Sequence, residues 1–159
     1  MSFDSFAAKG FGVEIPFVNL LGFDLTRFEN GESTILYTPK PEHANSFAVA
    51  HGGVVMTLLD VTMATAARSV SPETGVVTIE MKTTFMRPSP LGLLTAKGKL
   101  IHRTATMAFT EASIYDEAGR VCASSTGTFK YVKRLPARAA DGSRVINPLN
   151  EPIPQISTD

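Results

Sequence analysis

The chain has 159 residues, which is enough for one domain with a substantial hydrophobic core and too few for two ordinary domains. Its composition, 43% hydrophobic and 19% charged, is typical of a globular protein and excludes a largely disordered chain. The 15 Lys and Arg residues balance the 15 Asp and Glu residues, so no overall charge directs the protein to nucleic acid or to anionic lipid.

The N-terminal residues lack a basic segment followed by an apolar one, so we expect no secretory signal. The apolar stretch at residues 52–67 is too short to cross a bilayer and is interrupted by Asp60. Cys122 is the single cysteine, which excludes an internal disulfide and is consistent with a reducing compartment. We therefore expect a soluble, cytoplasmic protein that binds neither membranes nor nucleic acids.

In chain order, the pattern predicts a short helix near residues 17–21 and two strands joined by a turn at Asn30-Gly31, a strong hairpin signal. A polar loop then leads into one long helix, from residue 52 to about residue 69, and four more strands follow it. The six predicted strands span residues 22–28, 33–39, 76–86, 93–102, 106–115 and 121–132. Because the helix is apolar on nearly all sides, we expect a curved antiparallel sheet of about six strands to wrap around it, in the α+β class.

These elements place a single domain at residues 1–134. Residues 135–159 contain four prolines and little periodicity, so we predict an extended or disordered C-terminal arm.

Gly52 and Gly53 follow His51 at the predicted start of the long helix. Two interpretations stay open. The glycines form a tight turn, as glycine commonly does where backbone geometry is constrained. Alternatively, the free N–H groups of the first helical turn form an oxyanion hole, helped by the positive end of the helix dipole, and glycine lets a substrate carbonyl approach.

Asp60 is a lone carboxylate in this apolar helix, eight residues after Gly52. A structural role would have it satisfied by a nearby hydroxyl or turned to solvent, whereas a functional role would make it a general base or a nucleophile toward an acyl group. Since it lies roughly 10–12 Å along the axis from the helix start, it cannot easily serve its own Gly52. A second subunit would have to bring the two together.

Other candidate sites are weaker. His43 and His51, with Glu42 and His102, match none of the standard metal motifs, so we predict no metal site and expect His51 to fix its loop through hydrogen bonds. The sequence also lacks a Gly-x-Ser-x-Gly elbow and a histidine beside Cys122, which argues against serine and cysteine hydrolases. The polar residues at two strand ends are either ordinary turn residues or contacts for an anionic nucleotide tail; they are Arg103, Thr104, Thr106 and Lys130.

The segment from Asn45 to Gly53, followed by Asp60, resembles the hot-dog fold acyl-CoA thioesterases of the phenylacetate-pathway (PaaI-like) type, and the resemblance covers about residues 14–132. It implies a central helix wrapped by a sheet. It also implies a homodimer with shared active sites at its interface, and usually a dimer-of-dimers tetramer. No separate cofactor is implied, because coenzyme A is part of the substrate.

The resemblance also implies roles for individual residues. The Gly52 amide binds the thioester oxygen, Asn45 positions the substrate, and Asp60 of the neighbouring subunit acts as base or nucleophile. Thr78 helps to hold the attacking water, and His51 is counted among the catalytic residues. The residues that the resemblance places around coenzyme A are Gly53, Phe85, Arg103, Thr104, Thr106 and Lys130.

We therefore predict an acyl-CoA thioesterase that releases a free carboxylate and coenzyme A from an aryl or medium-chain acyl-CoA. Two alternatives stay open: a hot-dog dehydratase or hydratase with His51 as its acid/base group, and a non-catalytic acyl-CoA-binding protein. An apolar acyl pocket is expected from Phe47, Phe85, Met56 and Met63.

Overall fold

The computed structural model describes residues 10–12 and 15–133, together with the backbone of residues 137–138 and 144–145. A short helix α1 (Pro16–Leu21) precedes the long helix α2 (Gly52–Arg68), and a 3-10 helix (Pro41–His43) lies between them. The strands are β1 (Asp24–Glu29), β2 (Glu32–Tyr37), β3 (Thr74–Phe85), β4 (Leu94–Arg103), β5 (Met107–Tyr115) and β6 (Val121–Lys133). Two further two-residue strands, β7 (Ala137–Arg138) and β8 (Arg144–Val145), pair with each other.

Strands β1 to β6 form one antiparallel sheet in the order β1-β2-β4-β5-β6-β3, and α2 packs on it. Fully buried side chains from the helix and from the facing strands make one core, among them Leu58, Leu59, Ile35, Ile114 and Phe129. The prediction of a long helix against six antiparallel strands is confirmed, and the predicted bounds of these elements lie within two residues of the observed ones.

The middle of α2 lies directly on β4. The Ser33 hydroxyl on β2 donates to the Thr62 carbonyl at 2.6 Å. A Cβ atom at Gly98 would lie 2.6 Å from the same carbonyl oxygen, so only glycine allows this approach of helix to strand. These contacts fix the helix on the sheet and with it the positions of both helix ends.

Strand β3 is an edge strand of the sheet, twelve residues long and hydrogen-bonded only to β6 within the described residues. Its apolar side chains Val77, Ile79 and Phe85 are 40%, 54% and 51% exposed. Long apolar edges of this kind are normally covered or paired in soluble proteins. The free edge of β3 is therefore available to a further strand.

Most of the predicted C-terminal arm lies outside the described residues, so the prediction of an extended or disordered arm stays a prediction. Among the described residues, no helix has the length and apolar character needed to cross a bilayer.

Candidate active site

The loop before α2 is a compact hairpin closed at its base by paired backbone groups. The His51 N–H donates to the His43 carbonyl at 2.9 Å, and Ala44 pairs with Ala50. Near the tip, the Asn45 side-chain oxygen accepts the N–H groups of Phe47 and Val49 at 2.9 and 3.3 Å. Asn45 thus shapes the loop with its carbonyl oxygen, and its side-chain NH₂ group keeps its capacity to donate.

The first turn of α2 leaves one backbone N–H without an acceptor among the described residues. His51 is the N-cap: its Nδ1 accepts the Gly53 N–H at 2.9 Å, and its carbonyl accepts the N–H groups of Val54 and Val55. The Gly52 N–H has no acceptor among the described residues. This amide lies at the positive end of a 17-residue helix, which is where an anionic oxygen is stabilised.

The two glycines differ in what the chain itself requires. A Cβ atom at Gly53 would lie 3.1 Å from His51 Nδ1, so a side chain there would press on the cap. A Cβ atom at Gly52 would lie 3.6 Å from the ring of Phe85, an ordinary van der Waals contact, and Gly52 has no positive φ. Nothing within the described chain requires glycine at position 52, which favours the interpretation that an external group approaches there.

Asp60 is half-buried and hydrogen-bonded to a hydroxyl from the edge strand. The Thr78 Oγ1 donates to Asp60 Oδ1 at 2.6 Å. Thr78 pairs with Phe129, which is fully buried, so Thr78 lies on the face of the sheet that contacts α2. The hydrogen bond holds one carboxylate oxygen, and the other oxygen can accept a proton from water.

The predicted site residues fall into two groups within one chain. Gly52 lies beside Phe85 at one end of β3, and Asp60 lies beside Thr78 toward the other end. Eight helical residues separate Gly52 from Asp60 by about 12 Å, and seven strand residues separate Thr78 from Phe85 by roughly 20 Å. One chain therefore does not bring the Gly52 amide and the Asp60 carboxylate together.

Of the residues predicted to contact coenzyme A, Gly53 and Phe85 lie at the Gly52 end of the site, where the Gly53 N–H is already bonded to His51. The other four, which are Arg103, Thr104, Thr106 and Lys130, lie near the Thr78 end of β3. The Arg103 guanidinium stacks over the Tyr131 ring at 4.6 Å, and the Tyr131 N–H donates to the Thr106 carbonyl. Thr104 Oγ1 accepts two backbone N–H groups of its own turn. Lys130 follows the buried Phe129 and is exposed, so its side chain lies on the opposite face of the sheet from Thr78.

The expected acyl pocket needs one correction. Three of the expected pocket residues are exposed: Phe47 by 84%, Phe85 by 51% and Met56 by 37%. Exposed apolar side chains of this kind could contact an apolar acyl group. Met63 is fully buried, because Gly127 on the facing strand leaves room for its side chain in the core. The prediction that Met63 lines a pocket is therefore wrong.

Two residues that sequence reasoning did not connect also meet at this loop. The Tyr37 hydroxyl lies 2.7 Å from His43 Nδ1. In the sequence, His43 was considered only as a metal ligand, and its spacing matched no standard motif. The one local signal for the contact was the separation of six residues between a strand end and a loop.

A sequence profile described as the thioesterase superfamily matches residues 47–123, which include the end of the loop, α2 and Thr78 but not Asn45. Over this segment the chain is similar to the thioesterase superfamily. It is 29% identical to a predicted esterase of Saccharolobus solfataricus over 119 residues, which are 75% of this chain and 84% of that relative. It is 24% identical to the medium/long-chain acyl-CoA thioesterase YigI of Salmonella typhimurium over 135 residues, with 75% of this chain and 87% of the relative covered.

The chain also has the fold of the E. coli PaaI protein from the phenylacetic acid degradation operon. The two structures superpose with a TM-score of 0.71 at 22% identity, over 75% of this chain and 86% of that chain. Together these matches confirm the predictions of the hot-dog fold and of a thioester hydrolase.

Proposed function

We propose that the protein hydrolyses acyl-CoA thioesters. The observation that carries this proposal is the Gly52 N–H, which has no acceptor among the described residues and stands at a position where the chain's own packing does not require glycine. A single preorganised donor of this kind stabilises the oxyanion that forms when a thioester carbonyl is attacked. The acyl-CoA thioesterase YigI, similar over 75% of this chain, supports the same substrate class.

In the proposed reaction, the thioester oxygen accepts the Gly52 N–H and Asp60 supplies the base. Asp60 removes a proton from water as the water oxygen adds to the carbonyl carbon. The carbon–sulfur bond then breaks, the proton on Asp60 passes to the departing sulfur to give the thiol of coenzyme A, and the product acid ionises to the carboxylate. Direct attack by Asp60 would instead break the carbon–sulfur bond, expel the coenzyme A thiolate and form an acyl anhydride, which water then hydrolyses to the carboxylate product and free Asp60. In both routes the Thr78 hydrogen bond holds the carboxylate in one orientation.

The site requires two copies of the chain. If two edge strands β3 pair antiparallel about a two-fold axis, the Phe85 end of one strand lies near the Thr78 end of the other. Gly52 of one copy then approaches Asp60 of its partner, which the separation within one chain does not permit. The exposed apolar edge of β3 supports this homodimer, and we extend the proposal to a dimer of dimers.

The proposed substrate carries an aromatic or medium-length acyl group. Phe85 lies where a Cβ atom at Gly52 would meet its ring, and like Phe47 and Met56 it leaves apolar surface exposed. The turn at residues 103–106 would hold the nucleotide end of coenzyme A, with Arg103 as its cation. Within one chain Lys130 lies on the face of the sheet opposite Thr78. It could therefore contact coenzyme A only at the outer edge of the proposed site.

The test is release of free thiol from a panel of acyl-CoAs with short, medium, long and aromatic acyl groups. We expect turnover with at least one class, and a kcat lowered at least about 10²-fold by Asp60→Asn, which keeps the shape of the side chain but removes the base. Acyl-CoA binding should persist in that variant. Turnover of no acyl-CoA by the parent would refute the proposed function, and near-parental kcat in the variant would refute the role of Asp60.

A further inference from the structure

The loop that carries Asn45 and leads to Gly52 is attached to the core through Tyr37 and His43. Tyr37 ends β2, is 1% exposed, and packs edge-on against the buried Phe23 with ring centroids 4.9 Å apart. Its hydroxyl lies 2.7 Å from His43 Nδ1, and the two rings stack with centroids 5.9 Å apart. A rigid core residue therefore holds a half-buried loop residue by both a hydrogen bond and a ring contact.

The direction of this hydrogen bond follows from a second donor. The Lys40 backbone N–H also donates to His43 Nδ1, at 3.2 Å. A nitrogen that accepts an N–H carries no proton of its own, so Tyr37 donates and His43 is the neutral tautomer with its proton on Nε2. Burial raises the pKa of Tyr37 to about 12, which keeps the donating proton on the hydroxyl at neutral pH.

The backbone of His43 carries the constraint to the helix start. Its carbonyl accepts the N–H of His51 at 2.9 Å, and His51 is both the residue before Gly52 and the N-cap of α2. A continuous path of contacts thus runs from Tyr37 through His43 and His51 to the Gly52 amide. His43 also lies two residues before Asn45. The Tyr37–His43 contact therefore holds the start of the loop directly and its end through the hydrogen bond to His51.

We infer that Tyr37 and His43 are positioning residues that fix the direction of the Gly52 N–H and the place of Asn45. This inference rests on the proposed function. Neither residue needs to touch the substrate, because the effect passes through the backbone of His51. Displacement of a reacting group by about 1 Å can lower a rate 10²-fold, so loss of one attachment is expected to lower kcat measurably.

The experiment compares kcat and KM for Tyr37→Phe, His43→Ala, the double variant and His43→Asn, with an acyl-CoA that the parent hydrolyses. Tyr37→Phe and His43→Ala should each lower kcat about tenfold with KM within twofold of the parent. The double variant should be no slower than His43→Ala, since His43→Ala already removes the bond that Tyr37→Phe breaks. His43→Asn keeps an acceptor near the position of Nδ1 and should retain most of the parental kcat.

Thr110→Val is the matched control. Thr110 is 1% exposed and donates to the Gly127 carbonyl at 2.9 Å, so the change removes a buried hydroxyl bond of the same kind away from the loop. Its kcat should equal that of the parent. The inference is overturned if Tyr37→Phe keeps the parental kcat, if it changes KM alone, or if Thr110→Val lowers kcat as much.

A measurement of the His43 tautomer separates the two possible failures. Long-range ¹H–¹⁵N NMR spectra of the full chain should show the proton on Nε2 in the parent and a mixture of tautomers in Tyr37→Phe. An active parent with the proton on Nδ1 would contradict the positioning pair alone. An inactive parent with the proton on Nε2 would contradict the proposed function and the positioning role with it.

Discussion

Replacing Gly52 with alanine should abolish most activity without loss of stability. The new methyl group would lie 3.6 Å from the Phe85 ring, and the backbone of Gly52 is not in the left-handed region, so the folded chain accommodates alanine without movement. Compared with glycine, alanine has fewer backbone conformations in the unfolded chain and a higher helix propensity. We expect the free energy of unfolding to stay unchanged or to rise by up to about 1 kcal/mol.

The same Gly52→Ala substitution should lower the activity. The methyl group stands beside the Gly52 N–H and would hold a thioester oxygen out of hydrogen-bond distance. Loss of one oxyanion donor typically lowers kcat by about 10²- to 10³-fold, which corresponds to roughly 2.7–4 kcal/mol of transition-state stabilisation. A displacement of about 1 Å would by itself lower the rate to a similar extent.

Thiol-release kinetics and urea unfolding of the same preparations provide the assay, with Gly53→Ala as the comparison. At Gly53 the methyl group would lie 3.1 Å from His51 Nδ1 and disturb the N-cap, so this variant should lose about 1 kcal/mol of stability. Parental kcat in a folded Gly52→Ala protein would refute the assignment of the oxyanion donor. A large loss of stability in that variant would show instead that the glycine is required by packing.

Further predictions concern the carboxylate, acid stability and the C-terminal arm. Thr78→Val removes the 2.6 Å hydrogen bond to Asp60 and should lower kcat about tenfold, while Thr78→Ser retains it; equal kcat in both variants would contradict the role of the hydroxyl. The hydrogen bond from the Arg120 backbone N–H holds the pKa of Asp116 below its usual range. The Asp116 carboxylate therefore stabilises the fold above the unfolded-state pKa of about 3.9, and this contribution disappears as the pH falls through the lower folded-state pKa. Urea unfolding at pH 3 and pH 7 should show a smaller acid loss of stability for Asp116→Asn than for the parent, and an equal loss would contradict this. Ending the chain after residue 134 should preserve cooperative thermal unfolding, because α2 and the six-stranded sheet are complete by Lys133; aggregation would show that residues 135–159 cover apolar surface.

The elements that the sequence predicted well are those with strong local signals. The Asn30-Gly31 turn, the apolar run after Gly52 and the alternation in the later strands each depend on nearby residues, and each element lies within two residues of its predicted bounds. The lone carboxylate of Asp60 could also be recognised from the sequence, because it interrupts an otherwise apolar helix.

The contacts that could not be predicted from the sequence join elements that are distant or not consecutive in the chain. Strand β3 lies beside β6 rather than β4, and no periodicity specifies that order, although it places Thr78 at the sheet edge next to Asp60. Met63 was assigned to a pocket because the helix pattern cannot show that Gly127 leaves space for it. The Tyr37–His43 contact depends on how the loop folds back over β2.

The most direct test of the shared active site mixes two inactive variants. Asn45→Ala and Asp60→Ala homodimers should each have almost no thioesterase activity. After unfolding and refolding together, half of the dimers are hybrids, and each hybrid has one site with both changes and one intact site. We expect recovery of about a quarter of the parental activity at full random exchange. Hybrids verified by mass that recover no activity would contradict a site formed by Gly52 of one copy and Asp60 of the other.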